Sequence, residues 1–180
     1  MHLVRDPLPE AEAREGLAGS PLVIGIGHEG RSDDAAGVRA ARLVRALLWP
    51  DVRMRECDGD PAALLEAWDG EPAAVVVDAM ASGAPLGSVR RLDASRVPLP
   101  ADFHRGSTHG LGLAEAVELG RSLGRLPATL VIYGIEGGEF GEGERLSYPV
   151  ECAVREAALL IVEDIRRRRG VPPPDPGADR

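Results

Sequence analysis

The run AAVVVD from Ala73 to Asp78 does most to limit what this chain can fold into. It shows no polar alternation, so it fits a strand buried on both faces, the setting of a central strand in a parallel sheet. It also ends on an acid. A second stretch repeats the plan: Leu22 to Ile26 is apolar, a glycine turn follows, and Asp33 and Asp34 then stand at the mouth of a helix. Strands that deliver acidic groups to their carboxyl ends are how an α/β protein builds a site at the edge of its sheet.

The remaining segments alternate in the same way. From Asp33 the apolar positions Val38, Ala41, Leu43, Val44, Leu47 and Leu48 recur at helical spacing, with Asp33 read as the N-cap and Pro50 as the stop. Residues 52–57 read as a second strand, and Pro61 opens a short helix through Trp68. After the 73–78 strand, 82–87 has turn chemistry and 88–92 reads as a further strand. The short connection suggests that this strand is antiparallel. Residues 98–108 are irregular and carry His104, with His109 following. A helix over 111–123, a strand over 128–135 and a mobile Gly- and Glu-rich loop over 137–143 come next. Ser147 then caps a long helix over 150–169 with Arg166 to Arg169 in its last turn, where cations suit the helix dipole.

The expectation is a single-domain, doubly wound α/β fold: a mostly parallel twisted sheet of about five strands with helices on both faces. The domain spans 21–169. Residues 1–20 read as a flexible segment with a helical turn near 10–17, and 170–180, rich in Pro, Gly and Asp, as a disordered tail.

The 180 residues suffice for one real core, and with aromatics at only 3%, Leu, Val, Ile and Ala must fill it. The formal charge of -8 argues against a nucleic-acid binder, which wants a basic face. Cys57 and Cys152 are isolated and read as buried, inert thiols in a reducing compartment. No apolar run approaches the ~20 residues that span a bilayer, and the N-terminus lacks the plan of a signal peptide. The expected location is the cytoplasm. Oligomeric state is not legible.

Gly25, Gly27 and Gly30 fit GxGxxG after a strand, a dinucleotide signature when taken alone. A pyrophosphate, however, needs bare amides at the positive end of a helix. Asp33 and Asp34 occupy that end, and each would repel a phosphate by roughly 1 kcal/mol at ~4 Å even in high dielectric. A tight turn is the better reading. In a doubly wound sheet the Asp33–Asp34 pair, Asp78 and His109 can all reach one edge, and two carboxylates with an imidazole form a ligand set for zinc or nickel.

Four blocks then carry a family resemblance. Residues 25–37 resemble the glycine–acid signature of the hydrogenase maturation endopeptidases. Val77, Asp78 and Ala79 with Gly83, Pro85 and Gly87 resemble their second block. Ser107, His109, Gly112 and Leu113 resemble their serine–histidine block, and Ile132 to Glu136 with Leu146 and Ser147 continue the order. The resemblance implies a peptidase that removes a C-terminal extension from a nickel–iron hydrogenase large-subunit precursor once nickel is in place. It implies recognition of that metal by Asp34, Asp78 and His109. Asp33 or a free carboxylate is the candidate base. The nickel is presented by the substrate protein, and no organic cofactor is implied.

This chain has His28 where the family usually has asparagine, and Ala35 where it usually has glycine. His28 reads as a fourth ligand or as a donor holding a carboxylate. Ala35 puts a methyl where the family's glycine would let the backbone approach closely. The alternative functions are a non-cleaving member that senses or chaperones the metal site, and a nucleotide-binding enzyme that uses the 25–30 turn. No nucleophile stands out.

Overall fold

The computed structural model describes residues 4–5, 20–48, 50–100 and 108–169, with the backbone alone for 4–5 and 108–111. The expected helical turn at 10–17, the tail at 170–180, His104 and Ser107 lie outside the described residues.

Strands and helices alternate as β1 (Val4–Arg5), β2 (Leu22–Ile26), α1 (Ala36–Leu48), β3 (Arg53–Cys57), α2 (Pro61–Trp68), β4 (Ala73–Met80), β5 (Val89–Asp93), α3 (Thr108–Ser122), β6 (Thr129–Glu136) and α4 (Tyr148–Arg168). They form one sheet in the order β1-β5-β6-β4-β2-β3. All pairings are parallel except β5 with β6. The strand count differs from the expected five only by two-residue β1, which pairs with Arg90 and Arg91 and so draws part of the first twenty residues into the sheet.

The sheet is doubly wound because its central strands bury both faces. Every residue of β2, β4 and β6 is buried. On one face Val23, Val75, Val77, Val131 and Tyr133 pack with Ala40, Val44, Ala157 and Ile161 of α1 and α4. On the other, Ile24, Val76 and Ile132 meet Leu64 and Trp68 of α2 and Leu113 and Val117 of α3. The period of two along each strand sorts the residues between these layers.

Several local expectations need correction. β5 is antiparallel, yet it pairs with β6 rather than with β4, its predecessor in the chain. His109 lies inside the first turn of α3, not in a loop before it. Cys152 is exposed, because it falls off the stripe of Val150, Ala153, Val154 and Ala157 that α4 turns to the core. At α2 the local rules hold in full: Pro61 is the first residue and the Asp60 carboxylate accepts the Ala63 N–H at 2.9 Å.

The topology also says where a site can form. From β2 the chain runs through α1 to β3 on one side, then returns through α2 to β4 on the other side of β2. The carboxyl ends of β2 and β4 therefore flank a switch point, where the loops diverge and leave a crevice.

Candidate metal-recognition site

Asp33 and Asp34 belong to a 3-10 turn, Ser32–Ala35, between β2 and α1. This turn packs against β4. The junction is tight at Gly37, where a Cβ would collide with the carbonyl oxygens of both Ile26 and Val77. Helix α1 thus starts wedged against the ends of the two strands that border the crevice. Ala35, at 1% exposure, accommodates its methyl in a buried position. The close approach falls at Gly37, two residues further on.

Asp34 is 3% exposed and Asp78 1%, so both carboxylates sit inside the protein wall of the crevice. The Asp34 Oδ2 accepts the His28 backbone N–H at 2.9 Å, and the His28 Nδ1 stands 3.8 Å from the same oxygen. The His28 ring is half exposed. Asp78 is one residue beyond the Val77–Gly25 pair and lies opposite Gly134 of β6. It shares the parity of Ala74, Val76 and Met80, which face α2 and α3. Gly134 brings no side chain to its flank.

His109 is placed by α3. At Gly112, one turn further along, a Cβ would meet the carbonyl of Gly59, with Pro61 Cδ 3.6 Å away. Gly59 lies in the loop between the carboxyl end of β3 and α2, so the start of α3 rests at the same sheet edge and on the face towards which Asp78 points. Among the described side chains, which do not include that of His109, no group of three His, Cys, Asp or Glu is arranged to hold a metal. His28 stands as a neighbour of Asp34.

Asp33 differs from its neighbour. It is fully buried, and instead of capping α1 it reaches the loop that follows β6. Its Oδ2 accepts the N–H groups of Gly138 and Glu139, each at 3.0 Å, and the Ser147 hydroxyl at 3.1 Å, while its Oδ1 accepts the Ser147 N–H at 2.7 Å. Four donors thus engage both of its oxygens. Ser147 occupies the N-cap place of α4, but its hydroxyl is given to Asp33 and makes no capping bond.

The loop expected to be mobile is stitched down. The Ser32 N–H donates to Gly143, the Gly143 N–H to Gly30 and the Asp33 N–H to Glu139, at 2.7, 2.8 and 2.8 Å. The price falls at Ser32, which is held at φ 49, a left-handed conformation unusual for a residue with a side chain.

A fourth buried carboxylate escaped the sequence reading. Glu136, the last residue of β6, is 2% exposed. It accepts the Ser82 hydroxyl and the Gly83 N–H, both at 2.8 Å, and so fixes the loop after β4. Only its position at a strand end, beside a Ser-Gly turn far away in sequence, could have signalled this.

The dinucleotide reading of the 25–30 turn meets a physical obstacle. The amides of residues 32, 33 and 34, which would have to cradle a phosphate, already donate to Gly143, Glu139 and Arg31. Calorimetric titration with a dinucleotide is expected to show no saturable binding; saturation at micromolar ligand would overturn that reading of the turn.

A family model described as hydrogenase maturation protease matches residues 51–164, more than half of the chain. The chain belongs to the hydrogenase maturation protease family. It is 28% identical over 159 residues to the hydrogenase expression/formation protein HupD of Thiocapsa roseopersicina, covering 82% of this chain and 71% of that one. Its fold matches the hydrogenase maturating endopeptidase HybD from E. coli with a TM-score of 0.68 at 26% identity, over 82% of this chain and 93% of that one. The NiFe hydrogenase maturation protease HycI from Thermococcus kodakarensis matches with a TM-score of 0.58 at 25% identity, over 85% and 97% of the two chains. The family makes this chain a peptidase. No described helix is long and apolar enough to cross a membrane.

Proposed function

We propose that this peptidase removes a C-terminal extension from the large-subunit precursor of a nickel–iron hydrogenase, and that it does so by gripping the nickel already carried by that precursor. Asp34, Asp78 and His109 are the ligands of this reading, and the nickel is part of the substrate. The observation that carries it is the pair of buried carboxylates, Asp34 and Asp78, on the two strand ends that border the switch-point crevice. Carboxylate oxygens with an imidazole suit a divalent ion of this kind. A metal held between substrate and enzyme would polarise the scissile carbonyl or activate water there.

The Cys57 thiol does not compete for the catalytic role. Burial, reinforced by the neighbouring Asp58 charge, pushes the Cys57 thiol above its ordinary range and disfavours the nucleophilic thiolate. Cytoplasmic location belongs to the same proposal, since that is where a metal-loaded precursor would be met.

The test is C-terminal mass measurement after incubation with precursor in two states. Metal-loaded precursor is expected to lose its extension and metal-free precursor to stay intact. Equal cleavage of both would remove metal recognition from the reading, and binding without cleavage would favour a sensor or chaperone.

A further inference from the structure

The geometry points to Asp33 as a positioning residue: its carboxylate clamps the 138–147 loop onto the 3-10 turn and thereby sets where Asp34 is held. This rests on the reading of Asp34 as a ligand for the substrate's metal, and it replaces the role of base that the sequence suggested for Asp33.

The two aspartates are adjacent in a turn of four residues, so a displacement of one moves the other. Asp33 makes no bond that serves its own helix through its side chain. Its four donors come from three residues 105 to 114 positions away, on the loop and at the N-cap of α4. The clamp is doubled by the main chain and by two arginines. The Arg31 guanidinium donates to the Phe140 carbonyl at 3.3 Å and that of Arg39 to the Glu144 carbonyl at 2.7 Å. The clamped loop follows β6 at the same sheet edge as Asp78, and it approaches the loop that Glu136 fixes. A Cβ on Gly138 would lie 2.8 Å from a Leu86 methyl. Asp33 thus ties the acid-bearing turn both to this loop and to the start of α4. Buried and satisfied by four donors, it gives a fixed reference of the kind that a ligand needs to stay within a fraction of an ångström of its place.

Asp33→Asn tests this with little change in size. An amide group must then face a donor, whether the Ser147 N–H or the pair from Gly138 and Glu139. The experiment measures processing of metal-loaded precursor by C-terminal mass, as kcat/KM across pH, together with thermal unfolding and amide hydrogen exchange over 138–147. The expected result is faster exchange at 138 and 139 and a loss of ~10² in kcat/KM for the folded variant, the scale of a 1 Å misplacement. The pH profile should keep its wild-type shape.

Loss of the acidic limb of that profile would make Asp33 the base and overturn the proposal. A lowered melting temperature with wild-type kcat/KM in the folded fraction would make it a folding residue only, and would equally overturn it. If Asp33→Asn does not fold, Ser147→Ala decides, since it deletes one donor: a loss of roughly 5-fold, about one hydrogen bond, supports the clamp and an unchanged rate refutes it. Asp34→Asn separates the two levels. Full activity in Asp34→Asn sinks the metal-ligand reading itself, whereas an inactive Asp34→Asn beside a fully active Asp33→Asn sinks the clamp alone.

Discussion

Replacing Asp78 by alanine is expected to abolish processing of a metal-loaded precursor while leaving the fold intact. The residue sits within β4, flanked in the sheet by Gly134 and facing the layer of α2 and α3. Its burial at 1% exposure means that the carboxylate is held by the surrounding strands and cannot swing into place from outside. A ligand so fixed contributes directly to holding a cation, so its loss should exceed the ~10–100-fold that disturbing an outer partner of a metal ligand costs. Alanine is smaller and uncharged, and the strand pairs through its backbone, so the melting temperature should stay near that of the wild type. Asp78→Asn keeps the shape and removes the charge, and should be nearly as inactive. C-terminal mass of the precursor reads both variants. Undiminished cleavage by either would show that Asp78 does not touch the metal, and the ligand set would have to be sought elsewhere along the crevice.

The parts of the fold that depend on short-range pattern were legible. Leu22–Ile26, Ala73–Met80 and Thr129–Glu136 are apolar runs that find parallel neighbours, and Pro61 starts α2 with Asp60 as its cap. What failed depends on residues remote in the chain. A capping rule looks three residues ahead of Asp33, but its donors are Gly138, Glu139 and Ser147. The loop from 137 to 143 has the composition of a mobile segment, and the clamp that holds it is written in the first forty residues. β5 runs antiparallel as expected, but its partner is β6, a strand that comes after it in sequence. His109 falls in a helix although Gly110 and Gly112 are poor helix formers, because the close seat of Gly112 on Gly59 outweighs propensity. For the candidate site, the motif blocks supplied the proposed ligands Asp34, Asp78 and His109. That their elements share one sheet edge follows from the strand order. Glu136 was missed because a buried glutamate at a strand end has no local signature until its partners are known.

The largest effect on stability is expected at Gly37. Within a helix, alanine normally improves on glycine by ~0.5–1 kcal/mol through backbone entropy. At Gly37 the sign should reverse. The added Cβ would be driven into the carbonyl oxygens of Ile26 and Val77, main-chain atoms of two adjacent, fully buried strands. Neither oxygen can rotate away as a side chain would, because each belongs to the sheet, so α1 must lift or the strands must part. Overpacking of this kind costs about 3 kcal/mol. For a chain of this size that lowers the melting temperature by roughly 6–12 °C, readable by circular dichroism. Activity should fall further than stability at temperatures where the variant is still folded, since the wedge acts one turn from Asp34 and one residue from Asp78. A Gly37→Ala variant that melts at or above the wild-type temperature would mean that α1 is not seated between these strand ends. The crevice on which the metal-binding reading depends would then have a different shape.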